Sequence, residues 1–400
     1  MRSATAPAPS PTSRRPCLTE ALPSDLPPLG LYIHWPYCAK ICPYCDFNVA
    51  LDRRAGEAEA LAQALQDDLI GQAGMIGPRN LVSIFFGGGT PSLMDPAWAA
   101  RIISAARALW PVAPDLEITL EANPTDAESG RFRAFADAGV ERVSLGIQAL
   151  NDPDLTFLGR NHTAVEARRA AGMAGHIFPR LSLDLIYARP GQTPRGWTDE
   201  LKAAIDLGAE HISPYQLTVE AGTPFDRAVR RGAWAPAGTD LGARLYEVTQ
   251  ETLSGAGFDA YEVSNHARGL AARSRHNLVY WRGQDYLGIG PGAHGRLTLD
   301  GARAATETAR AVPAYIRRVR ETGTGIETRE VLSPVEAAEE RLLLGLRVDE
   351  GVPLADLAAL GLDKLGDLQA QGFVRVASGR LYATATGRPV LDRVISELVV

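Results

Sequence analysis

The sequence predicts an α/β chain: an open, partial (β/α)6 barrel followed by a winged-helix-like module. Three observations carry that expectation. From Gly30 onward short apolar strands alternate with amphipathic helical stretches, the pattern of parallel βαβ units. The alternation lasts six or so units, too few for a closed eight-fold barrel. After about residue 300 it gives way to helices and a hairpin.

Residues 31–33 read as the first strand. Residues 53–75 carry Ala58, Leu61, Leu65 and Leu69 at helical spacing and read as an amphipathic helix. Residues 81–86 form an apolar strand ending in glycines. A helix at 96–109 leads to a strand at 116–120, and a helix at 126–138 stops at Gly139. The remaining units are a strand at 142–147 with a helix near 163–175, a strand at 181–186 with a helix at 197–207, and a strand at 211–217. A helix at 240–254 and a strand at 260–263 close the series. In the C-terminal part, helices are expected at 335–346, 354–360 and 362–371. A hairpin follows, with strands at 373–376 and 380–383 around Ser378-Gly379, then a last helix at 386–398.

Four hundred residues are ample for one large domain and one smaller one. We therefore expect a disordered Pro/Ala/Ser-rich extension at 1–28, a barrel with its connecting region at 29–300, and the C-terminal module at 301–400. Cys17 lies in the extension, apart from the other cysteines. A net charge of −6 offers no general attraction for nucleic acid. A winged helix often binds DNA, but Glu336, Glu339, Glu340, Asp363 and Asp367 do not describe a phosphate-tracking surface. No apolar run reaches the length of a membrane span, and peripheral membrane association stays open. A long, cysteine-poor chain without a convincing signal peptide suits a reducing, cytoplasmic compartment.

Cys38, Cys42 and Cys45 fall within eight residues as C-x3-C-x2-C. Disulfides, a Cys3His zinc site completed by His34, and an iron–sulfur cluster are the three readings of this trio. A closed zinc site wants four ligands. Three thiolates can hold three irons of a cubane and leave the fourth open to an exogenous ligand. The run Gly87-Gly88-Gly89-Thr90-Pro91 follows a strand directly, where glycines let backbone approach a ligand closely. It is neither a Rossmann nor a Walker fingerprint, so phosphate is not its expected ligand. Glu121, Gln148 and Asp184 stand at successive strand ends, with Arg160 in a following loop. Carboxylates there are costly unless paired or ligand-bound. They make either internal salt bridges or one shared polar pocket.

Together the cysteine loop, the Gly-Gly-Gly-Thr-Pro run and Glu121-Ala122-Asn123-Pro124 resemble the radical S-adenosylmethionine (SAM) superfamily. Within it the chain is similar to the oxygen-independent coproporphyrinogen III oxidase family, over roughly residues 30–398, including a HemN-type C-terminal module. The resemblance implies that Cys38, Cys42 and Cys45 ligate a [4Fe–4S] cluster whose fourth iron is chelated by SAM. Gly88, Gly89 and Thr90 would receive its amino acid part, and Tyr32, Glu121, Gln148, Arg160 and Asp184 would line its site. A reduced cluster would cleave SAM to a 5′-deoxyadenosyl radical.

Two features decide between branches. The oxidase branch resembles C-x3-C-x2-C-x-C, and Phe47 stands where its extra cysteine would be. His276-Asn277-Leu278-Val279-Tyr280-Trp281 matches an H-N-x-x-Y-W signature of the heme chaperone (HemW) branch. The implied function is a heme chaperone that binds heme, cluster and SAM and passes heme to acceptor hemoproteins, without decarboxylating coproporphyrinogen. The alternative is the oxidase itself, and homodimerisation would be a family trait. A neutral imidazole can ligate heme iron, so His276 is a candidate heme contact, unless it forms a hydrogen-bonded structural corner. His294, in a glycine-rich turn, is a second candidate. Ala188-Arg189, where Gly-Leu is expected, puts a charge near the barrel mouth.

Overall fold

The computed structural model describes residues 25–51, 55–126 and 129–399. Most of the expected extension at 1–28, with Cys17, lies outside the described residues. Six parallel strands stand in sequence order: β1 (Pro28–Trp35), β2 (Asn80–Gly88), β3 (Val112–Ala122), β4 (Arg142–Gln148), β5 (Arg180–Tyr187) and β6 (His211–Gln216). The helices between and after them are α1 (Glu57–Ala73), α2 (Pro96–Leu109), α3 (Ser129–Asp137), α4 (Asp152–Phe157), α5 (Ala164–Ile177), α6 (Pro194–Ile205), α7 (Pro224–Arg230) and α8 (Thr239–Gly255). The partial six-stranded barrel is therefore present. Capping fixes several helix starts: Asp95 accepts the Ala97 N–H ahead of Pro96, and Thr163 with Glu166 forms a capping box. Leu31, Ile84, Ile118, Leu145, Leu183 and Ile212 are buried from successive strands into one large apolar core.

The sheet is wider than the sequence predicts. At one edge β7 (Asp259–Glu262) and β8 (Asn265–Ala267) pair antiparallel beyond β6. The short helix α9 (Arg275–Trp281) follows. At the other edge β9 (Asp285–Ile289) runs parallel to β1, and β10 (His294–Leu299), β11 (Ala302–Thr308) and β12 (Ile326–Val331) continue antiparallel. The division expected at residue 300 thus falls inside a hairpin of this sheet. Asp300 and Gly301 both have positive φ (51° and 80°), and Leu299 pairs with Ala302. The helix α10 (Val312–Thr322) packs on α1, and a buried network ties them. Asp68 of α1 accepts from Tyr315 Oη at 2.7 Å and from the Gly325 N–H at 2.7 Å, and the Gly290 N–H donates to Tyr315 Oη at 3.0 Å.

Beyond Val331 a smaller unit has its own core, built from Leu342, Val352, Leu381 and Ile395 among others. It comprises α11 (Pro334–Gly345), β13 (Val352–Pro353), α12 (Leu365–Ala370), β14 (Val374–Ala377), β15 (Arg380–Ala383) and α13 (Leu391–Leu398). The stretch expected as a helix at 354–360 is a 3₁₀ turn over Leu354–Leu357. Arg347 of this unit bonds Glu262 at 2.8 Å, and Arg273 bonds Asp349 at 2.6 Å, which fastens the unit to the barrel edge. Among the described residues no helix is long and apolar enough to cross a membrane.

Candidate cluster and cofactor site

The carboxyl ends of β1–β6 surround a cavity of about 380 Å³. All three clustered cysteines line it. So do Gly88, Gly89, Thr90, Glu121, Gln148, Arg160 and Asp184, which the sequence placed at successive strand ends and in the loops after them.

The cysteine loop is a lasso closed on itself. The Cys38 N–H donates to Ala50 O at 2.9 Å, the Ala50 N–H to Pro36 O at 2.8 Å, and the Cys45 N–H to Cys42 O at 3.2 Å. Asn48 pins it from outside, its side chain donating to Pro291 O at 2.8 Å and Arg310 O at 2.9 Å. His34 holds the base: Nε2 donates to Asn48 O at 2.8 Å, and Tyr32 Oη donates to Nδ1 at 3.1 Å. Burial keeps His34 below the usual imidazole range. With both nitrogens engaged, His34 is a brace rather than a fourth zinc ligand. None of the three cysteines is in a disulfide, and burial pushes the Cys45 thiol up to about 11. Among the described residues no three His, Cys, Asp or Glu side chains are grouped as they would be around a single metal ion. In a cubane each thiolate takes its own iron, so the thiols need not converge.

The glycine run is shaped by this lasso. Gly88 has φ 110°, and a Cβ there would lie 2.7 Å from the His34 ring. A Cβ on Gly89 would lie 2.6 Å from Pro36 O. The Gly89 and Thr90 N–H groups donate to Trp35 O and Tyr37 O, at 2.7 and 2.9 Å, extending the β1–β2 ladder into the site.

Polar groups complete the wall. Glu121 accepts the Gly88 N–H at 3.2 Å, and burial together with nearby Asp184 pushes its carboxyl up to about 8. Asp184 accepts the Ser144 hydroxyl at 3.0 Å and is likewise raised by burial. Arg160 donates to Gly146 O at 3.0 Å and to Cys42 Sγ and Tyr44 Oη at 3.4 Å each. It also bonds Asn123, whose amide donates to Thr90 Oγ1 at 2.9 Å. Asn123 is thus a site residue the sequence reading left unassigned, although it sits in the quoted Glu121–Pro124 run. Gln148 has φ 62°, a strained backbone for a side-chain-bearing residue. Its Oε1 and the Arg160 Nε are buried without a hydrogen-bond partner.

Those orphaned atoms test the fit of the implied cofactors. SAM offers an ammonium, a carboxylate and ribose hydroxyls. The acidic pair Glu121 and Asp184 suits cationic and hydroxyl donors, the free Gln148 Oε1 accepts, and Arg160 suits a carboxylate. The residues fit a cluster closed by SAM.

Three expected residues are placed differently. Tyr32 does not line the cavity; it lies beside it, 6.3 Å from the Phe85 and His276 rings. His276 is 1% exposed, with Nδ1 bonded to Ser83 Oγ at 2.8 Å and Nε2 to Tyr280 Oη at 2.7 Å. Its N–H donates to Glu117 at 3.0 Å, and burial lowers its pKa to about 3. In this geometry both ring nitrogens are engaged, the hydrogen-bonded structural corner that the sequence reading set beside the heme contact. Arg189, expected as a loose charge at the barrel mouth, is 1% exposed and paired with Glu200 and Asp154. Ala188, where glycine is expected, has φ 62°.

A family description of the radical SAM superfamily matches residues 32–204, and one of the HemN C-terminal domain matches 332–390. The chain is 38% identical over 387 residues to the radical S-adenosyl methionine domain-containing protein 1, mitochondrial, of Bos taurus, covering 92% of this chain and 87% of that one. It is 34% identical over 380 residues to the heme chaperone HemW of Escherichia coli, covering 92% and 98%. The solved coproporphyrinogen III oxidase (HemN) of Escherichia coli superposes with a TM-score of 0.78 at 22% identity, covering 94% of this chain and 91% of that one, a likeness of fold.

Proposed function

The chain belongs to the radical SAM superfamily and, within it, to the family of the heme chaperone HemW and its relatives, and from that premise we propose that it is itself a heme chaperone. It holds a [4Fe–4S] cluster on Cys38, Cys42 and Cys45 and SAM in the adjoining cavity. It binds heme and hands it to acceptor hemoproteins. The cytoplasm is the proposed compartment, with homodimerisation and peripheral membrane contact as proposed accompaniments.

A reduced cluster, when present, supplies the electron for SAM cleavage. The chain's own residues do the rest. Gly88, Gly89 and Thr90 give the cofactor backbone access beside the lasso. Glu121 and Asp184 would accept from its cationic end, and Arg160, which bonds Gly146 O and Cys42 Sγ, would pair with its carboxylate.

One observation carries the choice of chaperone over oxidase. Phe47, not a cysteine, stands two residues past Cys45, and its ring is 63% exposed at the cavity rim. The test is anaerobic. The reconstituted chain receives hemin in one sample, and coproporphyrinogen with SAM and reductant in another. Stable heme binding without protoporphyrinogen is expected, and protoporphyrinogen formation would replace the chaperone by the oxidase.

A further inference from the structure

The heme reading leaves open where the iron binds, because the expected histidine is buried and fully bonded. The geometry points to His294 as the iron ligand, for a heme lying across the rim between the cysteine loop and the start of β10. The inference rests on the heme reading above.

His294 is the first residue of β10, and its side chain is 62% exposed. Strand register fixes which way it faces. Arg296 pairs with Tyr286, and Gly288 pairs with Tyr32, so His294, two residues before Arg296, shares a face with Tyr286 and Tyr32. Tyr280 packs edge-on against Tyr286 at 4.5 Å. All three tyrosines are half-buried. Tyr32 connects this group to the cavity, since a Cβ on Gly87 would meet the Tyr32 ring at 2.9 Å and the Glu121 carboxylate at 3.2 Å.

The cysteine loop forms the other bank. Asn48 is clamped to Pro291 O, three residues before His294, and to Arg310 O. The neighbouring Phe47 is 63% exposed at the rim. A planar apolar macrocycle covers such a ring, an imidazole takes its metal, and exposed Arg310 and Lys40 are cations for its carboxylates. Glu307, paired with His294 across the β10–β11 ladder, stands 3.9 Å from His294 Nε2.

The experiment is a hemin titration of the cluster-loaded chain, read by the Soret band, the low-spin ferric signal and the bound iron–sulfur content. His294→Ala is expected to weaken hemin binding by about tenfold or more and to remove the histidine-ligated signal, with cluster content unchanged. Added imidazole should restore the signal. Phe47→Ser should weaken binding while the signal persists. A His294→Ala protein that binds hemin with parental affinity and spectrum overturns the assignment. A parental chain that binds no hemin overturns the heme reading itself.

Discussion

At the residue scale, two strained positions make opposite statements. Ala188 has φ 62° in a loop that does not line the cavity, and its methyl group is buried in the large apolar core. The left-handed region costs an L-residue about 1 kcal/mol and a buried methyl contributes about 0.8 kcal/mol, so Ala188→Gly should move stability by less than about 1 kcal/mol in urea denaturation, with the slope unchanged; a larger loss would show that the methyl's packing outweighs the strain. Gln148 has the same φ but faces the cavity, where strain accompanies function. Glu121 makes the pH statement. Its carboxyl is raised from 4.5 to about 8, first by burial and then by Asp184. A group whose folded pKa lies above its unfolded value holds its proton more tightly when folded. Stability is therefore fullest below about 4.5 and falls as pH climbs through about 8. Glu121→Gln should flatten that decline, leaving the SAM-free variant more stable than the parent at pH 8 by on the order of 1–3 kcal/mol. A parallel pH profile for the two proteins would refute it. The identity of these residues was legible in the sequence because polar groups recur at strand ends. Their strain was legible only as an odd substitution at 188, since φ is set by the tertiary turn.

At the scale of elements, the parallel strands were legible because buried strands read as continuous apolar runs. The β9–β12 extension was not, for a matching reason. β12 reads Ile-Glu-Thr-Arg-Glu-Val and buries only its first residue, so it carries no apolar run. The Asp300-Gly301 turn was the available signal, a two-residue hairpin pair between alternating strands. The short helix α9 was hidden by its own signature, since His276 and Tyr280 spend their polar atoms on each other and on Ser83. The extension is held by buried polar bonds rather than by sheet pairing alone. Tyr315→Phe would leave Asp68 and the Gly290 N–H each short of a partner. A loss of about 1–3 kcal/mol in denaturant unfolding is expected, and a loss below about 0.5 kcal/mol would show the network to be dispensable.

At the scale of the whole molecule, the fold gathers separate stretches of chain at one end of a sheet. Lasso, glycine run and strand-end polar groups meet in one cavity, while the C-terminal unit fastens to the far edge through Arg347 and Glu262. Three thiols with no fourth among the described residues, and His34 locked as a brace, make sense as one cluster with an open iron beside a cofactor pocket. The most direct test is metal analysis and electron paramagnetic resonance of the anaerobically reconstituted chain, with and without SAM. The account predicts about four irons per chain, no stoichiometric zinc, and a reduced-cluster signal that shifts when SAM is added. Stoichiometric zinc without iron, or a cluster signal indifferent to SAM, would contradict it.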